Sequence, residues 1–236
     1  MRHAFFLRRG LLAAVLLLAT VLRGAESGSA LVLRDGDRVA LIGDTFAERE
    51  QYSGWIETML TARFGNQSVV FRNLGWSADT PAGDSRFGLS LMQAGHEPAT
   101  EGWTQLSRQI GELKPTVAFI GYGMAASFAG EAGVERFKAD YRRLLDTLAE
   151  AVPDVRLVLL SPIPHEALGA PWPDPAARNR TLSVYAAAIA ELAAERRAGF
   201  VPLFSRLQGA GPGARLTDNG IHLSADGYRR VAEEIE

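Results

Sequence analysis

The sequence predicts an α/β protein, a three-layer α/β/α sandwich around a parallel sheet of about five strands. Three observations carry that prediction. Short apolar runs without alternation recur along the chain, as they do in strands buried on both faces. Stretches with helical spacing separate them, so each strand returns through a crossover helix. About 210 residues remain after an atypical N-terminal leader, enough for one domain with a sizeable core.

The first strand is Arg38–Ile42, and a helix is expected over Glu48–Phe64, with Ile56, Met59, Leu60 and Ala62 on one face. Ser68–Phe71 is the second strand, running into Asn73-Leu74-Gly75-Trp76-Ser77. Ala78–Ala99 is rich in Gly and Pro and reads as loop. Thr100–Leu113 has helical spacing and stops before Pro115. Thr116–Ile120 is the third strand and ends in Gly121-Tyr122-Gly123. Glu131–Ala151 is a long amphipathic helix with Val134, Phe137, Tyr141, Leu144, Leu145 and Leu148 at helical spacing. Val155–Leu160 is the fourth strand, Ala177–Arg197 a helix, Phe200–Leu203 a short fifth strand and Ala225–Ile235 the last helix. The sequence ends inside that helix without a capping residue, as a piece of a longer protein would.

The leader is a candidate secretory signal. Arg2, Arg8 and Arg9 precede an apolar run, Leu11–Leu22, too short to span a bilayer comfortably. Small residues follow, placing cleavage after Ala25 or Ala30, so residues 1–25 are assigned to the signal and 31–236 to the folded domain. Export to the periplasm or the outside is the expectation. Residues 1–25 hold four Arg and no acid, which leaves 21 basic against 27 acidic residues, a net of −6. That balance argues against nucleic acid or an anionic membrane as the main partner. With no Cys there is no disulfide, no thiolate nucleophile and no Cys-based metal site.

In an open α/β sheet, ligands collect at the carboxyl ends of the strands. Four motifs fall there. Gly43-Asp44-Thr45 follows strand one and offers a hydroxyl, although Asp and Thr are also common helix caps. Gly75 follows strand two and Gly123 strand three, each leaving a backbone N–H unobstructed. Asp218-Asn219-Gly220-Ile221-His222 precedes the last helix and supplies an imidazole beside a carboxylate. Nucleophile, base and oxyanion donors at one sheet edge are the parts of an acyl-transfer site.

These blocks, in this order, resemble the SGNH or GDSL-type hydrolases, in a divergent branch carrying "GDT", "NLGWS" and "LTDNGIHL". The resemblance covers roughly Arg38 to Ile235. It implies the flavodoxin-like SGNH hydrolase fold and an ester hydrolase acting on an acyl or acetyl ester of a carbohydrate or small lipid. Carried over by position, Thr45 takes the nucleophile's place and His222 the base's. Gly75 and the Thr45 backbone N–H are the oxyanion donors, with Asp44 and Gly123 lining the same side. The partner implied is a small-molecule or carbohydrate ester, with no cofactor and no metal; oligomeric state stays open.

Three positions depart from the family pattern. Its serine is Thr45, whose extra methyl restricts χ1. Its side-chain oxyanion donor is replaced by Ala125. Its orienting acid is Asn219, with a carboxylate displaced to Asp218. The alternative reading is therefore a catalytically impaired binding module for a glycan or a partner domain. Gly83-Asp84-Ser85 spells the family's first motif literally, but Thr80-Pro81-Ala82 precedes it rather than a strand. Ser77 and Ser127 near strand ends, and Trp76, Trp103 and Trp172 near loops, are secondary candidates. His96 and His165 are read as structural, lacking metal-ligand spacing with His222. A phosphate binder is disfavoured, because Glu48 and Glu50 fall where phosphate would sit.

Overall fold

The computed structural model of the protein describes residues 31–86, 95, 98–208 and 215–236. The leader, His96 and the whole Gly209–Gly213 stretch lie outside the described residues. Elements are numbered in chain order: β1 (Arg38–Gly43), α1 (Thr45–Ser53), α2 (Trp55–Arg63), β2 (Val70–Asn73), α3 (Pro98–Leu113), β3 (Val117–Gly121), α4 (Val134–Ala151), β4 (Arg156–Leu160), α5 (Ala176–Arg196), β5 (Gly199–Val201), α6 (Leu203–Leu207) and α7 (Ala225–Ile235). The sheet has five strands in the order β2-β1-β3-β4-β5. Every pairing is parallel.

The inner strands feed two cores because successive side chains point to opposite faces. In β1, Val39 and Leu41 join the cluster with Ile56 and Leu60 from α2 and Tyr228 and Val231 from α7. Ala40 and Ile42 join the other cluster, with Leu106, Ile110, Tyr141, Leu144, Ile189 and Leu192 from α3, α4 and α5. This is the predicted three-layer sandwich.

The expected single helix Glu48–Phe64 is two helices. Gly54 sits in the left-handed region at φ 65 and closes α1 by donating its N–H to the Glu50 carbonyl. That is the usual stop for a helix, since glycine adopts this conformation without a Cβ penalty. Glu50 then starts α2, its buried carboxylate accepting from Ile56 N at 2.6 Å. Burial pushes its pKa up to about 7. The fifth strand ends at Val201 rather than at the expected Leu203, where a short helix, α6, begins instead.

The sheet edge is kept clear by glycines. A Cβ on Gly43 would lie 2.2 Å from the Gly121 carbonyl oxygen, so the two strand ends approach as only glycine permits. The C-terminal helix is tied to this edge by Tyr228, whose hydroxyl donates to the Phe46 carbonyl 182 residues earlier.

Candidate active site

A cavity of about 170 Å³ opens at the carboxyl edge of the sheet. Thr45, Asp44, Ala78, Ser161 and His222 line it together with a mostly apolar wall that includes Met124, Ile163, Ile221 and Phe128. The edge thus brings Thr45 and His222 to one space.

Asp44, not Thr45, caps α1: its carboxylate accepts from Phe46 N at 3.1 Å. This frees the Thr45 hydroxyl, which accepts instead from Ala78 N at 2.8 Å. Asp44 also reaches Ala125 N at 3.4 Å and so ties β1 to the loop after β3. Burial, reinforced by the negative charge of Asp79, raises the Asp44 pKa to about 6.

Ala78 holds its N–H toward Thr45 from the left-handed region, at φ 57. For a residue with a Cβ this costs on the order of 1–2 kcal/mol. The surrounding loop holds the strained turn in place. Ser85 Oγ donates to the Ala78 carbonyl at 2.8 Å, and Ser85 N donates to Asp79 Oδ1 at 3.3 Å. Asp79 pairs with Arg86 at 3.0 Å, both side chains almost fully buried, and accepts from the Tyr122 hydroxyl at 3.2 Å. Arg86 also donates to the Leu74 carbonyl at 2.9 Å. Burial raises the Asp79 pKa to about 6 against the pull of Arg86.

The imidazole sits in the loop between α6 and α7. Thr217 and Leu223 bridge across that loop. Glu166, after β4, anchors it by accepting from Leu216 N at 3.0 Å, Thr217 N at 2.8 Å and the Thr217 hydroxyl. Thr217 in turn accepts from Gly220 N at 2.9 Å. His222 Nδ1 lies 3.1 Å from Asn219 Nδ2. Asp218 turns away and faces Arg49 at 3.6 Å, with 61% of its side chain exposed. Burial and the Arg49 cation lower the His222 pKa, and Asp218 and Glu48 oppose them.

Several expectations change here. Gly75 does not line the cavity: its N–H is taken by Asn73 Oδ1 at 2.8 Å, and a Cβ there would strike the Glu48 backbone at 2.2 Å. The backbone N–H that meets the Thr45 hydroxyl is that of Ala78, which the sequence placed in an undifferentiated loop. Only its neighbours gave a signal, in that Asp79, Asp84 and Arg86 are charges in a stretch otherwise of small residues. Gly123 packs against the Pro162 ring rather than the cavity. Asp218 does not take up the orienting position at Nδ1, which belongs to Asn219. Ser85 is a brace for Ala78, Ser77 donates to Glu48 and Ser127 to the Met124 carbonyl. None of the three tryptophans lines the cavity. The aromatic at its rim is Phe128, 72% exposed, with the Arg178 guanidinium 3.7 Å over its ring.

Comparison with known proteins agrees with the fold. The sequence model of the GDSL-like lipase/acylhydrolase family matches residues 36–230. None of the curated proteins matches the sequence. Among solved structures, BT4096, a gut microbial diltiazem-metabolizing enzyme, superposes with TM-score 0.65 at 20% identity, over 88% of this chain. The chain spans 48% of that protein's length. A variant of Axe2, an acetyl-xylooligosaccharide esterase from Geobacillus, gives 0.64 at 16% identity, covering 86% of this chain and 94% of the other. A lipase/acylhydrolase from Enterococcus faecalis gives 0.57 at 17%, covering 86% and 93%.

Proposed function

The chain belongs to the GDSL-like lipase/acylhydrolase family, and from that premise we propose that it is an exported hydrolase of a carboxylic ester with a short acyl group. The observation that carries the reading is the 2.8 Å contact of Ala78 N–H with Thr45 Oγ1 in a cavity shared with His222. An N–H already aimed at the attacking oxygen is placed to hold charge that develops beside it.

In the proposed mechanism Thr45 Oγ attacks the ester carbonyl carbon and its proton passes to His222 Nε2. Negative charge collects on the carbonyl oxygen near Ala78 N–H. The tetrahedral adduct collapses, the alkoxide leaves with the proton from His222, and an acyl-Thr45 remains. Water then repeats the sequence, with His222 taking its proton, and frees the carboxylic acid and Thr45. The acyl group sits against Met124, Ile163 and Ile221. The alcohol part extends toward the exposed ring of Phe128, a surface suited to stacking on a sugar face. The likeness to an acetyl-xylooligosaccharide esterase supports an acetylated carbohydrate as the first substrate to try.

The test is turnover of short p-nitrophenyl esters and of acetylated xylooligosaccharides. Thr45→Ala and His222→Ala are each expected to lower kcat by at least about 10³-fold. Wild-type rates in both variants refute the assignment. A second reading, a binding module on the same fold, is favoured by one observation: an amide rather than a carboxylate faces His222 Nδ1. It predicts calorimetric binding of an acetylated oligosaccharide with no turnover above background.

A further inference from the structure

We propose that Asn219 is a positioning residue that holds His222 with its proton on Nε2, making the imidazole a hydrogen-bond donor to the cavity and slowing its action as a base. The inference rests on geometry within one loop, and its kinetic half rests on the ester-hydrolase reading above.

The orientation of the Asn219 amide follows from its partners. Its Oδ1 accepts from His222 N at 3.0 Å and Ile221 N at 3.3 Å. A flipped amide would set its NH2 against two backbone N–H groups. The atom 3.1 Å from His222 Nδ1 is therefore Nδ2, which can only donate. A donor facing Nδ1 requires a lone pair there, so the proton of the neutral ring sits on Nε2.

That tautomer suits the wrong half of the reaction. To accept the Thr45 proton, Nε2 must present a lone pair. The ring must first carry its proton on Nδ1, which breaks the bond to Asn219 and sets two N–H groups head to head. Protonated at both nitrogens, the ring meets the same conflict. A carboxylate in place of the amide reverses every sign. Its one oxygen would keep both backbone N–H bonds, and the other would accept from Nδ1–H. Asn219→Asp is therefore nearly isosteric and leaves the loop's own bonds intact. Asp218, turned toward Arg49, does not serve in its place.

Two measurements on the full chain decide the matter. Ring 15N NMR, with the His222 signals identified by their loss in His222→Gln, is expected to show Nε2–H in wild type and Nδ1–H in Asn219→Asp. On a short p-nitrophenyl ester, Asn219→Asp is expected to raise kcat by on the order of 10³- to 10⁴-fold, the reverse of the loss that amide substitution causes in serine proteases. Nδ1–H in the wild type, or a folded Asn219→Asp without a gain in kcat over a measurable wild-type rate, overturns the proposal. If neither form hydrolyses any ester, the hydrolase reading falls, and the NMR pair still decides the tautomer. Should Asn219→Asp not fold, Asn219→Ala removes the amide donor and is expected to give mixed tautomers; a pure Nε2–H signature in that variant overturns the assignment.

Discussion

The two sides of the cavity are built on different terms. On the Thr45 side, Thr45 and Ala78 stand on a buried ion pair, a tyrosine hydroxyl and a serine brace, and a strained backbone angle is held in place by them. On the imidazole side, the loop is anchored just as firmly, by Glu166 and Thr217, but the group at Nδ1 is an amide. The difference teaches that geometry and proton inventory are separate properties of a site. This chain keeps the first on both sides and alters the second on one.

The comparison can be broken most severely on the Thr45 side. Arg86→Leu leaves the Asp79 carboxylate buried without its cation and is expected to cost about 3–5 kcal/mol of stability, read by urea unfolding. A loss under 1 kcal/mol would show that the Asp79–Arg86 pair does not hold the Ala78 turn. Next, Glu166→Gln replaces one of the two acceptor oxygens under the His222 loop with a donor. We expect a loss of about 1–3 kcal/mol and a fall in kcat with KM little changed, because the acyl pocket is untouched. Equal unfolding midpoints for Glu166→Gln and wild type would remove the anchor from the account.

A smaller effect is expected at Glu50. Its folded pKa of about 7 lies above the ordinary glutamate value, so its neutral form is favoured in the fold. The stability it contributes is present in full below its unfolded pKa and is lost as pH rises through about 7. Glu50→Gln should flatten stability between pH 5 and 8, by on the order of 1–3 kcal/mol at the alkaline end. Parallel stability curves for the two proteins would contradict this. The smallest effect belongs to Asp218→Asn, on an exposed pair with Arg49. It should change stability by less than about 1 kcal/mol and kcat by less than about twofold. A large fall in kcat there would return Asp218 to the role of orienting acid.

The layer order was legible because strands covered on both faces have nowhere to hide a polar residue. β3, Val117–Gly121, is apolar or glycine throughout, and it came within one residue of its true bounds. The break at Gly54 was missed because the apolar spacing that marked the helix, from Ile56 to Ala62, lies wholly in α2 and says nothing of where the polar stretch before it stops. That Thr45 and His222 share a cavity was expected from a strand end, the loop before the last helix and the order of the family's motifs. Ala78 did not, since its role depends on φ 57, and nothing in an Ala-Asp-Thr sequence announces a left-handed alanine. The exchange of Asp218 for Asn219 at Nδ1 is likewise a matter of which side chain a tight loop turns inward. Periodicity reports faces of elements; it says nothing of rotation within a turn.

The bond from Tyr228 to the Phe46 carbonyl joins residues 182 positions apart. Glu166 reaches about 50 residues along the chain to hold Leu216 and Thr217. Contacts this distant in sequence require loop closure before they return any free energy. His222 therefore joins the cavity wall with Thr45 only once these distant contacts have closed. A population with β1 to β5 folded and α7 detached would bury most of the core and have no site. Hydrogen exchange should find the amides of 217–222 opening in advance of those in β1 and β3.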